Sequence, residues 1–182
     1  MKSVNNQRAD NKAAKKMFYI LIIGIIPLLL IFFIYMNNQN SDMLNYINII
    51  SGEFPELSSA NSPLLSSVMS FYVKTAPLYG VVFFIRSYKF LKLDDSSSPI
   101  KLMVAFLIFS FFYIVILFFL LAYNIELTES GRLLRFLSGG DFLLTIFFIS
   151  IFYTCYTLTC YYLSFIYATY MILKIKIFNR WI

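Results

Sequence analysis

Lys74 is the side chain in this sequence with the most demanding surroundings. It stands ten residues into the apolar run from Leu64 to Ile85, three residues before Pro77. A cation placed centrally in a membrane-length helix costs ~2.5–3.5 kcal/mol on insertion scales. Pro77 has no N–H to give, so it kinks the helix and leaves a carbonyl free nearby. Two readings stand. Either Lys74 is a buried charge at a kink, poised to pair, or it snorkels outward through a wet, serine-rich stretch containing Ser58, Ser59, Ser62, Ser66, Ser67 and Ser70. No apolar run contains an acidic residue, so a pairing partner must come from a loop or from another protein.

A second set of charges, Glu126, Glu129, Arg132 and Arg135, recurs at intervals of three. On a helical turn that spacing would line them along one side, although Gly131 interrupts a continuous helix. The set reads either as a mixed-charge epitope or as a solvated connector with weak local ion pairs. Cys155 and Cys160 are five residues apart and so face different sides of a helix, which suits packing and not a disulfide or a metal pair. Histidine is absent, which removes the commonest general base and zinc ligand. Phosphate loops, dinucleotide glycine fingerprints, nucleophile elbows and paired carboxylates are missing too. The expectation is a protein that is not an enzyme, with no cofactor, no metal and no small-molecule substrate.

Four apolar stretches must position these charges. Of 182 residues, 60% are hydrophobic and 13% charged, about half the usual ~25%. A soluble domain could not hide so much apolar surface, and the expected class is an all-α membrane protein with four transmembrane helices. The spans fall at about 17–36, 64–85, 102–123 and 142–173, between basic tails at 1–16 and 174–182. The fourth has 32 uncharged residues between Asp141 and Lys174, ~48 Å of helix. It exceeds a ~30 Å hydrocarbon core, so it is expected to tilt or to emerge at its basic end. The first span follows lysines as a signal peptide would. Its length and the absence of a small-x-small site make it a retained anchor. Thr154, Thr157, Tyr161, Ser164 and Ala168 share one face of the fourth span, for packing on the protein's own helices or on a partner.

Charge sets the orientation. Twelve Lys and Arg residues lie in the two tails and the loop after the second span, against two in the other loops; Lys74 is the fifteenth. Cytoplasmic segments collect Lys and Arg, so both termini are expected in the cytoplasm and two loops outside. The same rule accounts for the net charge of +6 without a nucleic-acid partner.

Three segments carry a resemblance. They are the polar basic tail leading into Ile22-Ile23-Gly24-Ile25-Ile26-Pro27-Leu28-Leu29, then Lys74-Thr75-Ala76-Pro77, then Glu126-Leu127-Thr128-Glu129-Ser130-Gly131-Arg132. In this order, with matching span order and loop lengths from about residue 10 to the fourth span, they resemble the colicin A-type immunity proteins. The resemblance implies a four-helix inner-membrane protein with cytoplasmic termini. It further implies protection by binding in the bilayer: the partner would be the hydrophobic helical hairpin of a colicin's pore-forming domain, whose channel would stay closed. The contact candidates are then Lys74, Pro77, Glu126, Glu129, Arg132 and Arg135. The alternatives are a small transporter or channel subunit, which would conduct on reconstitution, and an accessory subunit, which would co-purify with a constant partner.

Overall fold

The structure, a computed structural model, describes residues 2–52, 54–88 and 98–178. Lys89, Lys92 and Arg180, three of the bases used above for orientation, lie outside them. In chain order the elements are α1 (Lys2–Asn37), α2 (Asp42–Ser51), β1 (Leu57–Ser58), α3 (Pro63–Val73) and α4 (Ala76–Ser87). There follow α5 (Pro99–Leu117), which runs into a π-helical turn at Phe118–Ala122, then β2 (Ile125–Glu126), α6 (Arg132–Leu137) and α7 (Asp141–Phe178). Among the described residues, four stretches are long and apolar enough to cross a membrane: Lys12–Asn37, Pro63–Ser87, Ile100–Ala122 and Asp141–Ile175. They coincide with the four apolar runs of the sequence.

Three features depart from the hydropathy reading. α1 continues back through the basic residues set apart as a tail, and α2 occupies the first long connection. A purely helical chain was expected, yet β1 and β2 form a two-residue parallel bridge, Leu57 opposite Ile125 and Ser58 opposite Glu126. Finally, Pro77 does not kink one helix but helps to start another. α3 ends at Val73, Thr75 donates its N–H to the Tyr72 carbonyl at 2.9 Å, and Pro77 lies in the first turn of α4. There its missing N–H needs no partner.

α1, the α3–α4 pair and α7 pack on one another, while α5 rests against α7. Lipid is as apolar as leucine, so these helices are joined by close approach and polar contacts, not by escape from water. The seat is at Gly24. The Phe152 ring of α7 lies over it, stacked on Tyr72 at 5.8 Å and edge-on to Tyr79 at 5.5 Å. Tyr72 then donates its hydroxyl to the Gly24 carbonyl at 2.9 Å, and Tyr156 does the same to Met17 at 2.8 Å. The α4–α7 contact is close as well, because a Cβ at Gly80 would come within 2.7 Å of the Thr159 side chain.

Some of the hydroxyls along α7 are used within the helix itself, while Thr157 Oγ1 and Thr169 Oγ1 are buried without a hydrogen-bond partner among the described residues. Ser150, Thr154, Thr159 and Ser164 each donate to the carbonyl four residues back at 2.7–2.8 Å. Cys155 and Cys160 are free and buried, as packing residues should be. None of the described side chains of α5 is buried. Rings hold α5 in place: Tyr113 stacks on Tyr162 at 4.0 Å, and its hydroxyl meets Thr159 Oγ1 at 3.1 Å.

The Gly80 contact gives a stability test. Gly80→Ala should push α4 from α7 and lower stability in detergent by about 1–3 kcal/mol, the usual cost of overpacking. Gly140→Ala should be neutral, since an added Cβ there meets nothing within 4 Å. Thermal melts followed by circular dichroism compare the two.

Candidate functional site

The serine-rich stretch is buried. Ser59, Ser62, Ser66, Ser67 and Ser70 are each at most 4% exposed, and they act as hydrogen-bonding posts on α3 and the segment before it. Ser70 Oγ accepts the Leu57 N–H at 2.9 Å, and Ser66 Oγ accepts the Ser59 N–H at 3.0 Å. Ser67 and Ser51 share a hydroxyl contact at 3.2 Å, and Ser62 donates to the Asp141 carboxylate at the start of α7. A loop folded onto apolar helices must satisfy its own N–H groups, and serine is small enough to do so from within a helix. One of the two readings of Lys74 made these serines a hydrated path; their burial speaks against that reading.

Glu126 closes the cap. One carboxylate oxygen accepts the Ala60 N–H at 3.0 Å and Thr128 Oγ1 at 2.5 Å; the other accepts Ser58 Oγ at 2.6 Å. The Thr128 N–H adds a longer bond at 3.3 Å. Partial burial pushes this carboxyl up, but the four hydrogen bonds outweigh burial and hold it below its ordinary value. Backbone bonds run alongside: Leu127 N–H to Ser58 O at 2.8 Å, and Glu56 N–H to the Asn124 side-chain oxygen at 2.7 Å. Two connections 68 residues apart are thereby fastened into one surface.

Lys74 faces this surface, and neither sequence reading describes it alone. Its ammonium does leave the helix break towards the cap. It ends there on a protein acceptor, the Pro55 carbonyl, with the Phe54 ring 5.3 Å away. The Glu56 carboxylate is near enough to attract it. Of the two sources the sequence left open, a loop or another protein, the structure shows a loop of the same chain. Pro55, Glu56, Asn124 and Glu126 also line an open hollow of about 530 Å³ on the cap.

The four charges at intervals of three do not share a helical side. Glu126 belongs to β2, a turn follows, and only Arg132 and Arg135 are in α6. Gly131, extended at φ −48° and ψ 164°, is where the pattern breaks. Arg135 donates Nε to the Thr128 carbonyl at 3.0 Å and so belongs to the Glu126 turn as well. Glu129, Arg132 and Arg135 are exposed. Sequence reasoning missed Glu56 and Asn124 and saw Ser58 only as part of a wet serine stretch; no spacing marks their roles, because their partners are distant along the chain. Among the described residues no group of three or more His, Cys, Asp or Glu could hold a metal. The cap thus combines an open hollow, two carboxylates and exposed arginines on one surface.

A family model described as colicin immunity protein matches residues 40–177, which include every residue of this cap. The chain is 32% identical over 141 residues to the colicin-A immunity protein of Citrobacter freundii, covering 77% of this chain and 79% of that one. It is 32% identical over 146 residues to the colicin-B immunity protein of Escherichia coli, covering 80% and 82%. With the colicin-N immunity protein of Escherichia coli it shares 36% identity over 78 residues, 43% and 60% of the two chains. No solved structure matches at a significant level.

Glu126 generates a stability prediction with a pH signature. Glu126→Gln keeps one acceptor oxygen and turns an amide N–H₂ towards donors. It should cost about 1.5 kcal/mol, the low end for charged hydrogen bonds because the carboxylate is partly solvated. The folded-state carboxyl is held low, so the wild-type advantage should be complete above the unfolded value of about 4.3. It should vanish as pH falls through the lowered folded value. Melting temperatures of both proteins from pH 7 down to pH 3 should converge; a constant gap would assign the loss to packing.

Proposed function

This chain belongs to the colicin immunity protein family, and from that premise we propose that it protects its bacterium by binding a pore-forming colicin within the inner membrane. The target is the membrane-inserted hydrophobic helical hairpin of the pore-forming domain, and the bound hairpin cannot open a channel. The observation that carries this reading is the cap. Four apolar helices support a folded surface that presents Glu129, Arg132 and Arg135 outward, with Glu126, Lys74 and Pro77 holding it in shape. Apolar helices alone would discriminate poorly between hairpins, since lipid competes equally for such faces. Charged groups discriminate, because a wrong partner leaves them unpaired.

The cap must then face the periplasm, from which the toxin arrives. Both termini are cytoplasmic in this reading, supported by the twelve-to-two distribution of basic residues. Reporter fusions at either terminus and within 94–99 should read as cytoplasmic, and those within 41–62 and 126–137 as periplasmic. One terminus found outside would overturn the arrangement.

Sensitive cells expressing this chain and challenged with a panel of pore-forming colicins provide the functional test. Survival against one colicin or a few is the expected result. Lys74→Met should lower survival at unchanged membrane abundance, since it strands the Pro55 carbonyl and releases the Phe54 segment. Lys74→Arg should restore it in part, keeping charge but not shape. Reversing both Arg132 and Arg135 to Glu should also lower survival. Loss of all protection together with ion flux through the reconstituted protein would replace this reading with a channel.

A further inference from the structure

The rings that hold α5 to α7 leave an open groove beside them. Its walls are Ala105 and Phe109 on α5 and Tyr161, Ser164, Phe165 and Ala168 on α7, and its volume is about 710 Å³. Phe165 meets Phe109 edge-on at 5.7 Å, whereas Ala105 and Ala168 have only methyl groups with which to fill the space. Ser164 does not make the lining polar, because its hydroxyl is bound to the Cys160 carbonyl at 2.8 Å.

One end of the groove is charged. Lys101 is exposed and lies one turn before Ala105 on the same face of α5. Its side chain leans towards the helix N-terminus and so away from the apolar walls. α5 and α7 run antiparallel, with Phe106 against Phe165 and Tyr113 against Thr159. That register brings Lys101 to the level of Tyr170, one turn short of the exposed Lys174. Lys15 and Arg86 are at the same end of the bundle, where Lys16 of α1 donates to the Arg86 carbonyl at 3.0 Å. Asp42, Glu56, Glu126, Glu129 and Asp141 lie at the other end.

We propose that this groove holds an acyl chain of one anionic phospholipid, with its phosphate on Lys101. The apolar walls suit a hydrocarbon chain, and a cation at the mouth suits a phosphodiester at headgroup depth. A second copy of this chain suits it less. α5 and α7 have one carboxylate between them, Asp141 at the opposite end, so either helix seated in the groove would cover Lys101 without neutralising it. Covering an unpaired ammonium with apolar side chains is strongly unfavourable.

The purified full-length chain in neutral detergent, titrated with palmitoyl-oleoyl phosphatidylglycerol and observed by native mass spectrometry, tests this. One bound lipid is expected, retained more tightly than phosphatidylcholine with the same chains. Lys101→Gln should weaken phosphatidylglycerol about fivefold, the effect of one interfacial basic residue, and leave phosphatidylcholine unchanged. Lys15→Gln, off the groove, should change neither. Ala168→Leu fills the groove from α7 and Ala105→Leu from α5, and each should weaken both lipids. Wild-type phosphatidylglycerol binding by Lys101→Gln would overturn the proposal. So would equal weakening by Lys15→Gln, which would mean a diffuse charge effect. A lipid-free dimer that Ala168→Leu dissolves would give the groove to a second copy and overturn it as well.

Discussion

A lipid-embedded chain cannot hand its unsatisfied N–H and C=O groups to water, and this constraint accounts for most of what is unusual in the protein. At the interruption between α3 and α4, a residue of the same chain comes to meet the helical ladder. The break between α3 and α4 is bridged by Thr75, whose N–H and hydroxyl both reach the Tyr72 carbonyl, at 2.9 and 2.7 Å. Hydroxyls along α7 turn back to carbonyls of their own helix. Tyr72 and Tyr156 each place a hydroxyl on a carbonyl of α1, joining helices with hydrogen bonds where burial of apolar area supplies no attraction. Glycines at 24 and 80 complete the scheme by letting Phe152 and Thr159 approach the backbone.

The same constraint couples the helix break to the cap. Ending α3 at Val73 gives Lys74 an escape from the apolar run, and the folded loop gives it the Pro55 carbonyl to end on. That loop stays folded because α3 offers Ser66 and Ser70 as acceptors and because Glu126 reaches across from the second connection. The lysine, the proline, the serines and the glutamate thus form one mechanical unit, although 52 positions separate Lys74 from Glu126. Glu129, Arg132 and Arg135 can be presented to a partner because the groups behind them are already satisfied.

The membrane-length apolar segments and the odd position of Lys74 could be read directly from the chain, because each depends on composition within a window of some twenty residues. A run from Leu102 to Tyr123 with no charge has one physical solution in lipid, and it holds wherever the run lies in the fold. The twelve-to-two imbalance of basic residues, which grounds the proposed orientation, is a local property of the same kind. The resemblance carried by Lys74-Thr75-Ala76-Pro77 and by the 126–132 segment was legible for this reason too, being made of contiguous residues.

The cap was not legible, and the reason lies in sequence distance. Nothing near Glu126 announces that its acceptor capacity will be taken up by Ser58 and Ala60, or that a two-residue parallel bridge will form in an otherwise helical chain. A run of serines before a helix has the composition of a wet loop; only the approach of β1 to α3 makes those serines buried acceptors. Charges at intervals of three suggest a helix side until Gly131 adopts an extended ψ and divides them between a bridge and a short helix. The sequence by itself determined which segments are long and apolar enough to enter a membrane and which residues would be costly there. Only the tertiary structure decided who meets those costs, because a hydrogen-bond partner is chosen by proximity in space, and the fold alone sets that proximity.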